Sequence, residues 1–412
     1  MLFQRNIGKS IRAALEDTPV VLVVGSRQSG KTTLVRSLVA ESGERMRYVT
    51  LDDPATLAAA ASSPTSFIED LGTPVIIDEV QRAPELLLVI KQRVDQERAP
   101  GLYLLTGSAN VLTLPKVSDS LAGRIEVQTL WPLSEGEILG RKEGFVDACF
   151  QQSMKGEEEA VDWKALVEHM ARGGYPEAVR RADPTRRRVW WTSYLASLLE
   201  RDVRDLSNIE GLREMPRLLE ILAARAGGLL NYAELSRTAG ISATSLKRYV
   251  GLFRALFLHV ELPAWFRNLE KRLVKSPKSY LNDTGLLCQL RGVDAKGLLN
   301  DRNRAGPVLE NFVVMEIRKQ LGWSTVMPRM YHYRDASGNE VDLILQAPDG
   351  RMVGIEVKAS AQVDSSDIRG LKLLDTLAGK EFVRGVVLYA GKERRAFGEK
   401  LLALPLSSLW NL

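Results

Sequence analysis

The chain has 412 residues, with 56 Lys and Arg against 51 Asp and Glu, a formal net charge of +5, 45% apolar and 26% charged residues. This length implies two or three domains, and the balance excludes collagenous, low-complexity and disordered chains. Cys149, Cys288 and the scattered His169, His259 and His332 exclude a disulfide framework and offer no zinc-ligand spacing. No signal core or bilayer-spanning run is present, so a soluble, cytoplasmic protein with no membrane partner is expected. The mild positive charge does not by itself mark a nucleic-acid binder.

Short β-branched runs at 20–24, 48–53, 74–80, 101–109 and 124–133 alternate with helical stretches. They predict a mainly parallel α/β sheet, covered on both faces, over residues 1–135. From 136 to 300 the pattern is mostly helical, and its polar opening at 140–162 is expected as a surface excursion. Residues 214–263 predict three helices, a turn at Gly240 between the second and third, and a β-like run, the order of a helix-turn-helix followed by a wing. From 301 to 412 an α/β pattern returns, with a helix at 306–322, strands around 330–335, 340–346, 352–359 and 383–390, and a helix at 364–378 before the last strand.

Residues 25–32, GSRQSGKT, fit G-x-x-x-x-G-K-[ST] between an apolar strand and a helix. Gly25 and Gly30 permit backbone angles that turn successive N–H groups inward as an anion nest, with Ser26, Arg27, Gln28, Ser29 and Thr33 completing the cradle. Lys31 is expected at the β- and γ-phosphates and the Thr32 hydroxyl on Mg²⁺, so ATP and Mg²⁺ are the expected cofactors. The run VIIDEV brings Asp78 to a strand end as the metal carboxylate and Glu79 as the group that polarises the attacking water; a solvated strand end is the plainer alternative. In nucleotidases with this acidic pair, an additional strand lies between the loop strand and the acidic strand. Here that role falls to 101–109, whose end offers Thr106, Ser108 and Asn110 as γ-phosphate sensors or a simple turn. Arg124 is either an arginine finger acting on a neighbouring subunit, which requires a homo-oligomer such as a hexameric ring, or a surface ion-pair partner.

Near the C-terminus, Asp342, Glu356 and Lys358 form D-x13-E-x-K across two expected strands, and Glu310 on the preceding helix adds a further acid. Alternation along a strand puts Glu356 and Lys358 on one face, where Asp342 meets them from the neighbouring strand. Carboxylates Asp342, Glu356 and Glu310 suit Mg²⁺, and Lys358 suits orienting water at a phosphodiester; a cross-strand ion pair is the alternative. Such a fold also hosts binding without cleavage.

In residues 242–254, Lys247 and Arg248 are expected to be exposed and Leu246, Val250 and Phe253 buried, an arrangement open to DNA contact or to packing alone. The basic run with Arg180, Arg181, Arg186, Arg187 and Arg188 beside Trp190 and Trp191 is equally a nucleic-acid surface or a solvated helix start over an aromatic core.

Taken together, GSRQSGKT, VIIDEVQRAPELL, LLTGSAN, SLAGRIEV, GGYPEAV, LNDTGLL, GPVLENFVVMEI and YRDASGNEVDLIL with IEVKAS resemble a group of bacterial and archaeal ATP-binding proteins. These have an N-terminal AAA-type ATPase and a C-terminal module of unknown function. The resemblance covers nearly the whole chain. It implies an ASCE-type P-loop ATPase core at 1–135, a helical lid region with a winged helix at 136–300, and a domain at 301–412 similar to the PD-(D/E)XK nuclease fold. Lys31, Thr32, Asp78 and Glu79 then take the ATPase roles, and Asp342, Glu356 and Lys358 the nuclease-like roles. Val341 stands where that nuclease pattern has Pro. The expected function is an oligomeric, Mg²⁺-dependent ATPase acting on DNA, with turnover coupled to a nuclease-like domain, on branched or broken DNA. The rival is an ATP-dependent switch or DNA-binding remodeller whose nuclease-like domain does not cleave.

Overall fold

The structure is a computed structural model that describes residues 2–42, 46–108, 123–154, 161–202, 213–268 and 275–412. It packs as two units. One is Arg5–Pro132 with Phe253–Phe257, and the other is Met1–Gln4, Leu133–Leu252 and Leu258–Leu412.

In the first unit, five strands form a parallel sheet: β1 (Val20–Val24), β2 (Arg47–Thr50), β3 (Val75–Asp78), β4 (Tyr103–Gly107) and β5 (Ile125–Thr129), in the order β2-β3-β4-β1-β5. The run VVLVV of β1 is buried along its whole length, as a strand with neighbours on both sides and helices on both faces must be. β4 lies between β1 and β3, the position expected for the extra strand. Val24 pairs with Gly107 and Thr129, so the carboxyl ends of β1, β4 and β5 are level, and β3 ends beside them at Asp78. Ligands in open α/β sheets bind beyond this edge.

The second unit carries helices Trp163–Arg172, Pro184–Ser197, Met215–Ala224 and Tyr232–Ala239, and most of Ala243–Ala255. Asn231 caps the helix Tyr232–Ala239 and Gly240 ends it in the left-handed region, the turn expected there. An antiparallel hairpin follows, β6 (His259–Leu262) with β7 (Lys278–Leu281). A six-stranded mixed sheet then forms from β8 (Arg329–Arg334), β9 (Glu340–Gln346), β10 (Met352–Lys358), β11 (Phe382–Tyr389), β12 (Arg395–Ala396) and β13 (Leu401–Pro405), in the order β12-β13-β11-β10-β9-β8. β8, β9 and β10 run antiparallel, β10 and β11 parallel, and the helix Arg369–Ala378 makes the crossover, burying Leu371, Leu374 and Ala378. Among the described residues, no helix is long and apolar enough to cross a membrane.

The helix Arg302–Gln320 ties this unit together. The Asn311 amide pairs with both the N–H and the carbonyl of Leu281, each at 2.9 Å, while Lys319 donates to the Leu133 carbonyl at 2.9 Å and Gln320 to the Leu409 carbonyl at 2.6 Å. The stretch at 140–162 is not a surface excursion where it is described. Phe145, Val146, Cys149, Phe150 and Met154 are buried. Arg384 donates to the carbonyls of Ala148, Gln151 and Gln152, and Asp147 accepts from the backbone N–H of Thr325 at 2.9 Å. The charges around these apolar residues masked their spacing. Residues 155–160 of the same stretch lie outside the described residues.

The motifs GGYPEAV and LNDTGLL prove to be two halves of one joint. Asp283 caps the helix Thr284–Arg291, accepting the Leu286 N–H at 3.0 Å, and with its other oxygen accepts the Gly174 N–H at 2.6 Å. A Cβ at Gly174 would lie 2.1 Å from the Leu133 carbonyl oxygen, so no other residue fits there. Tyr175 accepts from the Asn282 amide at 2.9 Å and packs against Trp191 and Tyr194. Asp283→Ala leaves two buried N–H groups without acceptors, at about 1–3 kcal/mol each. The thermal unfolding midpoint is expected to fall by roughly 5–10 °C; a shift below about 1 °C would show that the joint contributes nothing.

Candidate functional site

The loop joining β1 to the helix Lys31–Ser42 sits at the carboxyl edge of the parallel sheet. Gly25 has φ 156°, and a Cβ there would lie 2.1 Å from the Leu130 carbonyl oxygen. Gln28 takes φ 62° and Gly30 φ 100°, the backbone turns that an anion nest needs. The Lys31 ammonium is buried, folded back onto the carbonyls of Gly25 and Ser26 at 3.1 Å each. The hydroxyls of Ser26 and Ser29 are buried with no hydrogen-bond partner among the described residues. Arg27 is half-buried, and Gln28 and Thr33 are exposed. Arg5, which lies outside the loop motif, clamps the loop by donating to the carbonyls of Ser29 at 2.9 Å and Trp131 at 2.6 Å.

Asp78 is the hub. Its carboxylate accepts from Thr32 Oγ1 at 3.0 and 2.9 Å, from the Tyr48 hydroxyl at 2.9 Å, and from Thr106 Oγ1. Burial and then the Asp78 charge push the Tyr48 phenol up to about 12, so Tyr48 stays a neutral donor to the carboxylate. Glu79 has φ 60° and ψ 44°, a left-handed conformation that costs a side-chain-bearing residue about 1–3 kcal/mol. Two contacts hold it: its N–H donates to Thr106 Oγ1 at 3.0 Å, and Gln81 Nε2 donates to its carboxylate. Gln81 Nε2 also donates to Ser108 Oγ at 2.8 Å. Loop, acidic pair and the end of β4 thus converge on one place. Thr106 is hydrogen-bonded to Asp78 and Glu79, and Ser108 to Gln81; Asn110 lies outside the described residues. Arg124, 31% exposed, is ion-paired with Asp95 of its own chain.

In the second unit, Asp342 on β9 and Glu356 and Lys358 on β10 meet as the alternation predicts. Val357 N–H donates to Asp342 at 3.0 Å, and the Lys358 ammonium lies 3.8 Å from Glu356 and 3.6 Å from Asp367. Glu310, from the helix Arg302–Gln320, joins them through a residue that belongs to none of the sequence motifs, Lys278 at the start of β7. The Lys278 ammonium lies 2.8 Å from Glu310, 2.5 Å from Glu340 and 3.3 Å from Asp342, with its side chain 2% exposed. The Tyr280 hydroxyl donates to Glu310 at 2.6 Å. Burial and then the Asp342 charge raise the Glu310 carboxyl to about 7, and the same two causes, in the same order, put Glu356 well above the usual carboxylate range. Burial opposes the charge on Lys278, but Asp342, Glu310 and Glu340 outweigh it, and its pKa is raised.

Lys247 and Arg248 are exposed on the helix Ala243–Ala255, while Leu246, Val250 and Phe253 are fully buried. The basic run divides. Arg186 and Arg188 are exposed, but Arg187 turns inward and donates to the carbonyls of Ala178 at 3.1 Å and Arg181 at 2.8 Å. Arg187 is therefore a structural tie, not a free contact for a polyanion. Trp190 and Trp191 pack with Tyr175 and Tyr194, so the aromatic residues of this run serve the core.

Three stretches of the chain match known family models. A family model described as an AAA domain matches residues 17–139, and two described as domains of unknown function, DUF8612 and DUF4143, match residues 164–297 and 305–409. Uncharacterized proteins of Mycobacterium tuberculosis and Mycobacterium bovis are each 29% identical over 409 residues, covering 99% of this chain and 85% of theirs. A Walker-type ATPase of Pyrococcus abyssi has a TM-score of 0.44 at 16% identity, over 71% of this chain and 96% of that one. The RuvB Holliday junction branch migration motor of Thermotoga maritima has a TM-score of 0.28 at 19% identity, over 63% and 89%. At these scores neither structural likeness bears on function. The AAA-domain match and the parallel sheet with its loop make the N-terminal unit an AAA-type, ATPase-like P-loop domain.

Proposed function

We propose that this chain is an Mg²⁺-dependent ATPase that works on DNA as a nucleotide-driven switch. The observation that carries the ATPase part is the convergence of Lys31, Thr32, Asp78 and Glu79 at one edge of the sheet, with Thr32 and Asp78 in direct hydrogen bond. These oxygen donors fit a hard divalent cation, and the hydroxyls of Ser26 and Ser29, without a hydrogen-bond partner among the described residues, fit a polar ligand in the loop. Thr32 and Asp78 would hold Mg²⁺, which when bound neutralises charge on the β- and γ-phosphates. Lys31 swings from the loop carbonyls to the phosphates, Glu79 orients and polarises the attacking water, and Ser108, linked to Glu79 through Gln81, reports the γ-phosphate. Arg124 would leave Asp95 to act on a neighbouring subunit, so a homo-oligomer, such as a hexameric ring, belongs to the proposal.

The DNA part is supported by Lys247 and Arg248, exposed after the Gly240 turn on a helix followed by the β6–β7 hairpin, an order that fits a winged helix. Exposed Arg186 and Arg188 add positive charge. A second reading, ATP turnover coupled to a cutting PD-(D/E)XK-like domain acting on branched DNA, is favoured by the meeting of Asp342, Glu356 and Lys358. Anisotropy titration of labelled duplex and four-way-junction DNA, in ADP and in a non-hydrolysable ATP analogue, separates the alternatives. The switch predicts affinities that differ about 5- to 150-fold between the two nucleotide states, without cleavage. Equal affinities in both states would remove the switch, and Mg²⁺-dependent cutting abolished by Lys358→Ala would install the nuclease in its place.

A further inference from the structure

We infer that the C-terminal carboxylate cluster already holds its cation, the ammonium of Lys278, and that while β7 is in place the cluster takes no divalent metal. The inference concerns the second unit alone and stands whether or not residues 25–32 hydrolyse ATP.

The geometry is that of an ammonium ion in a finished site. An –NH3⁺ group has three donors, and here three carboxylates, Glu310, Glu340 and Asp342, each present an oxygen at 2.5–3.3 Å. Mg²⁺ requires oxygens at about 2.0–2.1 Å in near-octahedral array, and a second cation among the same oxygens would meet the Lys278 charge at close range. Accordingly, no group of three or more His, Cys, Asp or Glu residues that could hold a metal ion occurs among the described residues. The carboxylates that would serve as metal ligands are otherwise engaged: Glu310 also accepts from Tyr280, and Asp342 also accepts from Val357 N–H. The residues present do not fit a metal.

The Lys278 side chain is 2% exposed, enclosed within the unit, and the strand that carries it is held on several sides. Lys278 pairs with Leu262 across the hairpin and bridges to Leu229. On its two sides Leu230 N–H donates to Pro277 O at 2.8 Å and Gly227 N–H to Ser279 O at 2.8 Å, while Asn311 grips Leu281. Opening the cluster therefore means moving β7, the second strand of the hairpin that follows the exposed Lys247 and Arg248 helix. A displacement of that hairpin would withdraw the ammonium and expose four carboxylates, Glu310, Glu340, Asp342 and Glu356, together with Lys358.

The test counts Mn²⁺ ions bound to the full chain without nucleotide, by electron paramagnetic resonance, in wild type, Asp342→Asn, Lys278→Met and the double variant. The expected result is the same count for wild type and Asp342→Asn, with one additional ion in Lys278→Met that the double variant loses. Two results would overturn the inference: a count that drops by one between wild type and Asp342→Asn, or a folded Lys278→Met that gains no ion. If Lys278→Met fails to fold, the comparison of wild type with Asp342→Asn still decides whether the native cluster holds a metal.

Discussion

Lys31→Ala is expected to weaken nucleotide binding by on the order of 100-fold or more, with turnover lost in parallel. The Lys31 ammonium is buried beside Ser26 and Ser29, whose hydroxyls lack partners among the described residues, at the N-terminus of the helix Lys31–Ser42. The ammonium lies 3.1 Å from the carbonyls of both Gly25 and Ser26. Charge-assisted hydrogen bonds contribute about 1.5–3 kcal/mol each, and about 1.4 kcal/mol corresponds to tenfold in affinity, so losing even two such bonds removes most of the binding. Titration with a fluorescent ATP analogue reads this directly. An affinity within about threefold of wild type would mean that the loop at 25–32 does not cradle phosphates.

Glu79→Gln is expected to separate binding from chemistry. The amide keeps the size of the side chain, its left-handed backbone and a hydrogen-bonding oxygen for Gln81, so the loop, Thr32 and Asp78 remain in place. It removes the carboxylate proposed to polarise the attacking water, and positioned general bases contribute typically 10²–10⁴-fold. ATP should bind within a few-fold of wild type while hydrolysis slows by at least about 100-fold. Asp78 has a different part: three hydroxyls, from Thr32, Tyr48 and Thr106, converge on it, so its replacement would loosen both strand ends and blur binding with catalysis.

The parallel sheet was legible because its signal is local. VVLVV, VIID and YLLTG are short, β-branched or aliphatic runs with helical spacers, and the motif at 25–32 requires the edge at which β1 ends. The insertion of β4 between β1 and β3 followed from the Asp78–Glu79 pair through a rule about nucleotidases, not from periodicity. In the second unit, Asp342, Glu356 and Lys358 were legible because strand alternation dictates which side chains share a face.

What stayed hidden depends on contacts between residues far apart in the chain. Lys278 opens the run KSYL, which no motif marks; only the fold brings it to Glu310, Glu340 and Asp342, 32 to 64 residues away. Arg5 reaches Trp131 across 126 residues, and Asp283 reaches Gly174 across 109. The strand β13 and the terminal helix Ser408–Asn411 were missed as well. Their residues LLALPLSSLW are densely apolar but form short elements without a clear period; Leu401 to Leu404, Leu409 and Trp410 are buried, and the Leu412 carbonyl accepts from Gly144 N–H at 2.6 Å. Arg187 belongs to a run whose sequence leaves nucleic-acid contact and a solvated helix start equally open. A run of three arginines reads as one surface, but helical geometry turns the middle one inward to two carbonyls.

In the proposed function, Lys31, Thr32, Asp78 and Glu79 form one working site for ATP hydrolysis. Phosphate release from saturating Mg²⁺–ATP, followed side by side for wild type, Lys31→Ala and Glu79→Gln together with the amount of ATP each retains, decides whether they do. Such a site predicts turnover in wild type that disappears without Mg²⁺, binding weakened by on the order of 100-fold or more and no turnover in Lys31→Ala, and retained ATP with turnover slowed by at least about 100-fold in Glu79→Gln. Phosphate release at the wild-type rate in both variants would contradict it.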